Sequence, residues 1–545
     1  MYTKSKPMPS SRTLAAVLVL TLLVDPCMAQ VHFFRSYING FSSYGSSITP
    51  GPEGTVHVTG ITTTALGGSR ELVLMTLAAN GDPITSRTLD IAQTEFPLRV
   101  LTIAPDRVVL AASSGQQASA DPADMLLVKA GLSGTSGEVQ GWGTPDSVEY
   151  IADMAQGGDD LVLLGSSWFD QVVQRPAFFV VRCDTAFDLA WGLSANVGPG
   201  RYIAAATEVA PDGSVYVLGT LDQPVTGQPI EGILTLLKFN ATGMLQWARK
   251  FDVPGNMLTS RIDLCVAPDG SVFFMQPFSN GDGQALFQVD PSGELVWCHQ
   301  LQVATGQTLL FTGILLHEDA LYLAGRYGFG SASSNPLLVQ CTTAGTVNWA
   351  RTYGAGESVG DLLDLCVTTT AEGPLALWAV GEVRPLSGDQ QHLGVMKVDI
   401  AGNGLSECVR EELVMTATDV VPAITTPVVD LLPFTTPAAP TVTIAPVEME
   451  VWTGCLSTGI DEAQQALQGV YPNPTAGPCT VALPAGAQVR SMSFVDVTGR
   501  SLAINAHGGS GKVSVDLTTQ PPGLYMWRIV LADGRLLTQR VVRDR

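Results

Sequence analysis

Carboxylates at recurring turns are the residues whose type and spacing come nearest to a chemical site. Asp106, Asp212 and Asp269 each follow Ala-Pro, and the last two precede Gly. Such groups could ligate calcium, or a pair of them flanking one bond could hydrolyse a glycoside. A calcium loop needs several oxygen ligands close in sequence, which none of these turns supplies. They read instead as turn formers, with Pro presetting φ and Asp-Gly turning the chain back. The six histidines, His32, His57, His299, His317, His392 and His507, show no i, i+4 pair, so a zinc site would have to gather ligands from distant segments. No nucleophile elbow, Walker loop, dinucleotide fingerprint or zincin motif is present. No catalytic residue, metal ligand or cofactor is assigned, and the balance leans against an enzyme.

Of nine cysteines, Cys27 lies near the N-terminus and eight follow it. Cys265 in Asp-Leu-Cys-Val and Cys366 in a second Asp-Leu-Cys-Val occupy the same place in two repeats, as buried free thiols would. Cys408 and Cys455 bracket a Pro/Thr-rich segment and are the pair expected to form a bridge.

The elements that must position these residues are short strands. Only 14% of the 545 residues are charged, against about 25% in ordinary soluble domains, while 56 Gly and 34 Pro punctuate the chain. A single core stops growing at about 250–300 residues, so repeats are expected. An apolar strand with one polar residue near its end recurs, marked by Thr76, Lys129, Arg182, Lys238, Gln288, Gln340 and Lys397. Before it in several copies stands an Ala-Pro-Asp-Gly type turn leading into an alternating strand. After it comes Gly-x-x-x-Trp, as in Gly243 to Trp247, Gly293 to Trp297 and Gly345 to Trp349. Four-stranded units repeated seven times predict a seven-bladed β-propeller over 30–412, an all-β body whose closed ring leaves few free sheet edges. Phe33 to Tyr37 resembles the outer strand Trp349 to Tyr353 and is expected to complete the last blade. Residues 413–468, rich in Thr, Pro and Val, read as an extended linker, in which Val442 to Trp452 alternates well enough to pair with a blade or with the terminal domain.

The Gly-x-x-x-Trp spacing resembles the tryptophan-docking turns of quinoprotein dehydrogenases. An indole fixed in each blade also serves plain packing between blades, and that is the reading taken here.

Both ends point to export. Lys4, Lys6 and Arg12 precede an apolar run from Leu14 to Val24 and a small-residue site, predicting a signal peptide over 1–29 cut between Ala29 and Gln30. That run is too short to span a bilayer, so no transmembrane segment is expected in the mature chain. At the other end, over about 77 residues, come Tyr471-Pro472-Asn473-Pro474-Thr475, Val495-Asp496-Val497-Thr498-Gly499-Arg500 and Pro521-Pro522-Gly523-Leu524-Tyr525, followed by a last strand. In that order they resemble the type A C-terminal sorting domain of the type IX secretion system of Bacteroidota, which carries cargo across the outer membrane. The departures are a second Pro at 521–522 and Arg where the final strand often has Lys. The resemblance implies an Ig-like β-sandwich over 469–545, with Pro472, Asn473, Pro474, Gly499, Arg500, Gly523 and Tyr525 carrying its motif. It also implies the type IX machinery as partner, and a product at the outer-membrane surface or secreted by way of the periplasm.

The formal charge is −21, and removing residues 1–29 makes it −23, which speaks against nucleic acid as a partner. The tail runs opposite, with eight Arg or Lys against four Asp in 469–545. The function expected is non-catalytic binding of an extracellular protein or glycan through loops such as Thr62 to Arg70, Ser114 to Asp124 and Leu221 to Glu231. The alternative is an extracellular hydrolase or lyase working at the propeller's central channel.

Overall fold

The computed structural model describes residues 31–40, 42–457 and 472–544, less 64–69, 91–94, 115–124, 133–136, 143–148, 168–177, 198–200, 224–232, 254–261, 279–282, 304–306, 329–333, 355–357, 371–372, 386–389, 406–407, 434–436, 439–442, 484–488, 497–500, 503–505, 510–511 and 532–535. Seven antiparallel sheets succeed one another along the chain, and each innermost strand packs against the next sheet, the seventh against the first. That closes a ring of seven blades. From the axis outward, blade 1 is Ser42–Pro50, Val56–Thr63, Arg70–Leu77 and Pro83–Asp90, and blade 4 is Arg201–Val209, Val215–Gln223, Leu234–Phe239 and Leu245–Asp252. The third strands are continuous apolar runs because neighbouring blades cover both their faces; Leu234–Phe239 is buried at every position. Outer strands alternate, as Leu245–Asp252 does, because one face meets solvent.

Blade 7 takes Ser358–Thr370, Gly373–Pro385 and His392–Asp399 from the end of the repeats and its fourth strand, His32–Ile38, from the beginning. Phe33 lies opposite Lys397 and Tyr37 opposite Leu393, as the likeness to an outer strand predicts.

The recurring sequence markers are joints between blades. The glycine of each Gly-x-x-x-Trp turn has a positive φ, +82° at Gly243 and +87° at Gly293, and seats the tryptophan of the preceding blade. A Cβ on Gly293 would stand 2.9 Å from the Trp247 ring. Trp191 and Trp247 donate their indole N–H to Ala241 O and Pro291 O of the next blade, both at 3.0 Å. Three of the polar residues near the ends of the third strands reach across in the same way: Arg182 to Gly213 O, Lys238 to Pro291 O and Lys397 to Ala79 O. Asp212 and Asp269 accept from the backbone N–H two residues on, as turn formers do.

The structure corrects the linker expectation for 413–457, which continue a strand-forming run that starts at 409, while 458–468 lie outside the described residues. The run forms the fifth, outermost strand of every blade: Val409–Glu412 on blade 6, Met415–Asp419 on blade 5, Ala423–Thr425 on blade 4, Asp430–Pro433 on blade 3, Pro437–Ala438 on blade 2, Thr443–Pro446 on blade 1 and Glu450–Ser457 on blade 7. It is a belt that passes each blade once. Proline density is compatible with pairing here because only one edge of each short strand is bonded, and proline on the other edge discourages further strand addition. The belt's apolar residues fill the seams: Leu413 and Met415 pack between blades 5 and 6, Val429 and Leu431 between 3 and 4, and Ile444 between 1 and 2.

The C-terminal strands form two sheets. Pro478–Ala482, Lys512–Asp516 and Ala506–Gly509 make one, and Ser501–Leu502, Val489–Asp496, Gly523–Leu531 and Leu536–Arg543 the other. Cys479, Val481 and Val515 of the first meet Phe494, Trp527 and Ile529 of the second in a core drawn from this domain alone.

Candidate functional site

The axis of the ring holds the densest group of ionisable side chains. In six innermost strands the ladder slips by one residue at a bulge, and the residue after it is Ser47, Arg99, Asp153, Ala206, Gly313 or Asp364. Asp263, immediately before the short inner strand Leu264–Val266, supplies the fifth blade's member. Arg99 of blade 2 pairs with Asp153 of blade 3 at 2.9 Å, Asp364 of blade 7 at 2.8 Å and Asp263 of blade 5 at 3.7 Å. One guanidinium can meet residues from blades so far apart only in the middle of the ring.

The carboxylates also tie blades together. Asp153 Oδ2 accepts from Thr207 N of blade 4, Asp263 Oδ2 from Ile314 N of blade 6, and Asp364 Oδ2 from Ile48 N and Ser47 Oγ of blade 1. Asp263 Oδ1 and Asp364 Oδ1 accept in addition from Leu264 N and Leu365 N. Ser47 Oγ in turn accepts from Val100 N of blade 2. Each oxygen of the three carboxylates therefore faces either the guanidinium or a donor.

The charges do not balance: three carboxylates meet one arginine, and Glu208 adds a fourth to its field. Burial alone would lower the Arg99 pKa, but Asp153, Asp364 and Asp263 outweigh it and hold the guanidinium well above its ordinary range. Burial, with repulsion from neighbouring carboxylates added, raises Asp263 to about 7 and Glu208 to about 8 against the pull of Arg99, and raises Asp153 as well. The cluster keeps protons that free carboxylates would release.

Among the described residues no group of three or more His, Cys, Asp or Glu could hold a metal ion. An open groove of about 570 Å³ lies on the tight-turn side of blades 4 and 5, lined by Asp212, Lys238, Asn240, Gln246, Trp247 and Ser292 among others. Its polar groups serve the turns and the blade joint: Asn240 Oδ1 accepts from Thr242 N and Met244 N, and Lys238 Nζ donates to Pro291 O. The loops expected to bind ligand, Thr62 to Arg70, Ser114 to Asp124 and Leu221 to Glu231, fall for the most part outside the described residues, as do Ala29, Gln30, Gly499 and Arg500.

Reasoning from sequence missed Arg99, Asp153, Asp263, Asp364 and Glu208. One signal was present: Asp153 and Asp263 both stand six residues before a turn aspartate, Asp159 and Asp269. Asp263 and Asp364 open the two Asp-Leu-Cys-Val segments, whose Cys265 and Cys366 are buried and free as expected.

In the tail Asn473, Gly523 and Tyr525 of the expected motif adjoin the last strand. Asn473 Oδ1 accepts from Val542 N, Thr475 N donates to Val542 O, and Asp544 N donates to Thr475 O. Pro472, Asn473 and Pro474 are exposed, Gly523 opens its strand, and buried Tyr525 donates its hydroxyl to Pro521 O. Residues 469–543 match the family model of the secretion system C-terminal sorting domain. The chain thus ends in a sorting domain that marks it for export to the cell surface or for secretion. No helix among the described residues is long and apolar enough to cross a membrane. No curated protein matches the chain. Among solved structures, an α-L-arabinanase of Penicillium chrysogenum is similar at 12% identity and a TM-score of 0.40, over 67% of this chain and 98% of its own. The β-propeller domain of the Trilobed protease from Pyrococcus furiosus is similar at 10% identity and 0.39, over 66% and 96%. The polysaccharide lyase Uly1 is similar at 10% and 0.39, over 67% and 91%. The propeller rests on the strand pairing above and not on these likenesses.

Proposed function

We propose that this chain is a propeller exported by the type IX secretion system, by way of the periplasm, to act outside the cell by binding a protein or glycan and not by catalysis. The observation that carries the non-catalytic reading is the engagement of three of the four axial carboxylates. A glycosidase or lyase needs an acid or base free to reach substrate, and here Asp153, Asp263 and Asp364 are spent on Arg99 and on the backbone of neighbouring blades. The sorting domain supports the export half of the reading. Seven blades of paired strands supply the kind of frame on which binding loops are carried.

The test is localisation in a host with a working type IX system, comparing the full chain with one ending at Ser457. The full chain is expected at the surface or in the medium and the shortened one in the periplasm; equal distribution would remove the tail as the address. A panel of surface glycans incubated with the full chain should give retention without new reducing ends or unsaturated sugars. Turnover of any of them would overturn the non-catalytic half.

A further inference from the structure

We infer that a disulfide between Cys408 and Cys455 closes the outer belt into a covalent hoop around all seven blades. Cys408, directly ahead of the first belt strand, is disulfide-bonded. Cys183, Cys265, Cys298, Cys341, Cys366 and Cys479 are buried free thiols. Of the nine cysteines this leaves Cys27 and Cys455 as partners, and Cys27 lies within the segment expected to be removed with the signal peptide. Cys455 sits in the last belt strand, directly opposite Phe34. The Phe34 side chain packs in the same cluster as Cys408, together with Tyr353 and Leu405, at the seam of blades 6 and 7.

The topology gives the bond its consequence. The belt starts on blade 6, passes blades 5, 4, 3, 2 and 1, and ends on blade 7, so its two ends meet at adjacent blades. A bond there completes the circle. The same seam is where the ring itself is closed, by the N-terminal strand His32–Ile38, held between His392–Asp399 on one edge and Glu450–Ser457 on the other. The hoop therefore locks the one blade assembled from both ends of the repeat region. Its formation takes two protons and two electrons from the paired thiols, accepted by a protein or small-molecule disulfide that leaves as a dithiol.

Peptide mapping of the full chain, alkylated without reduction, should yield one linked pair containing Cys408 and Cys455. Alkylated Cys408, or Cys408 linked elsewhere, overturns the assignment. Closing a loop of this length favours the folded state by roughly a thousandfold in the chain-entropy account, and part of that should act on unfolding. Reduction of the folded chain should then speed its unfolding in denaturant by about tenfold or more. Cys408→Ser and Cys455→Ser should each reproduce this, with no further effect of reductant, while Cys479→Ser in the tail leaves the propeller's rate unchanged. An unfolding rate that reductant does not move would sink the hoop as a lock even if the bond is found, and if neither serine variant folds, the map and the reduction of the natural chain decide.

Discussion

Glu208 and Asp263 show most directly how the ring holds protons at its axis. Each keeps its proton in the folded chain to about 8 and about 7, whereas the ordinary values are 4.5 and 3.8. In the unfolded chain both ionise near those ordinary values, so unfolding releases protons at any pH between the two states' pKa values. The stabilisation is fully present below about pH 4 and is lost as pH rises through 7 to 8. The melting temperature should therefore fall between pH 5 and pH 9, and Glu208→Gln, which cannot ionise, should flatten that fall. A slope unchanged by Glu208→Gln would mean that Arg99, Asp153, Asp263 and Asp364 settle the charge without it. None of this was legible one residue at a time. The turn aspartates and the tryptophans announce themselves by local spacing, but Arg99 meets Asp153, Asp263 and Asp364 only because a ring of blades brings residues up to 265 positions apart to one axis.

At the scale of elements, the belt is where composition misled and geometry decided. Seven passes between Val409 and Ser457 give about seven residues per blade, and at about 3.3 Å per extended residue that is roughly 23 Å of arc. The spacing shows in the side chains. Val414, Val421 and Val428, seven apart, are 79%, 88% and 78% exposed, while Ile444 is 5% exposed against Leu74, Leu89 and Leu110. Strands of two to eight residues carry too little periodicity to announce themselves. They exist because the outer edge of each blade is there to be paired, and that edge exists only after the ring has formed. Ile444→Ala should cost about 2–4 kcal/mol through the cavity it leaves, whereas Val421→Ser on the solvent side should stay within about 0.5 kcal/mol. Denaturant midpoints of the two variants separate the cases; equal effects would mean that the belt lies on the blades without packing into them.

For the whole molecule, the seven copies, the closure of blade 7 by Phe33 to Tyr37 and the terminal sandwich were all readable, since each rests on a repeat or a motif confined to one stretch of chain. What the sequence could not convey was where the body stops. The last described belt strand ends at Ser457, paired directly with His32, so the first and last described strands of the body lie side by side. Among the described residues, the tail's core, from Cys479 to Val541, contains no residue of the ring. These two facts set an ordering for truncations. A chain ending at Ser457 should lose one calorimetric transition and keep the propeller's melting temperature within a degree or two. One ending at Cys408 removes the outer strand of every blade, with Ile444, Val429 and Leu431 and the cover of the N-terminal strand, and should melt far lower or aggregate through seven bared edges. If cutting at Cys408 costs no more than cutting at Ser457, the belt is an ornament on a ring already stable, and the body would end where the seventh repeat does.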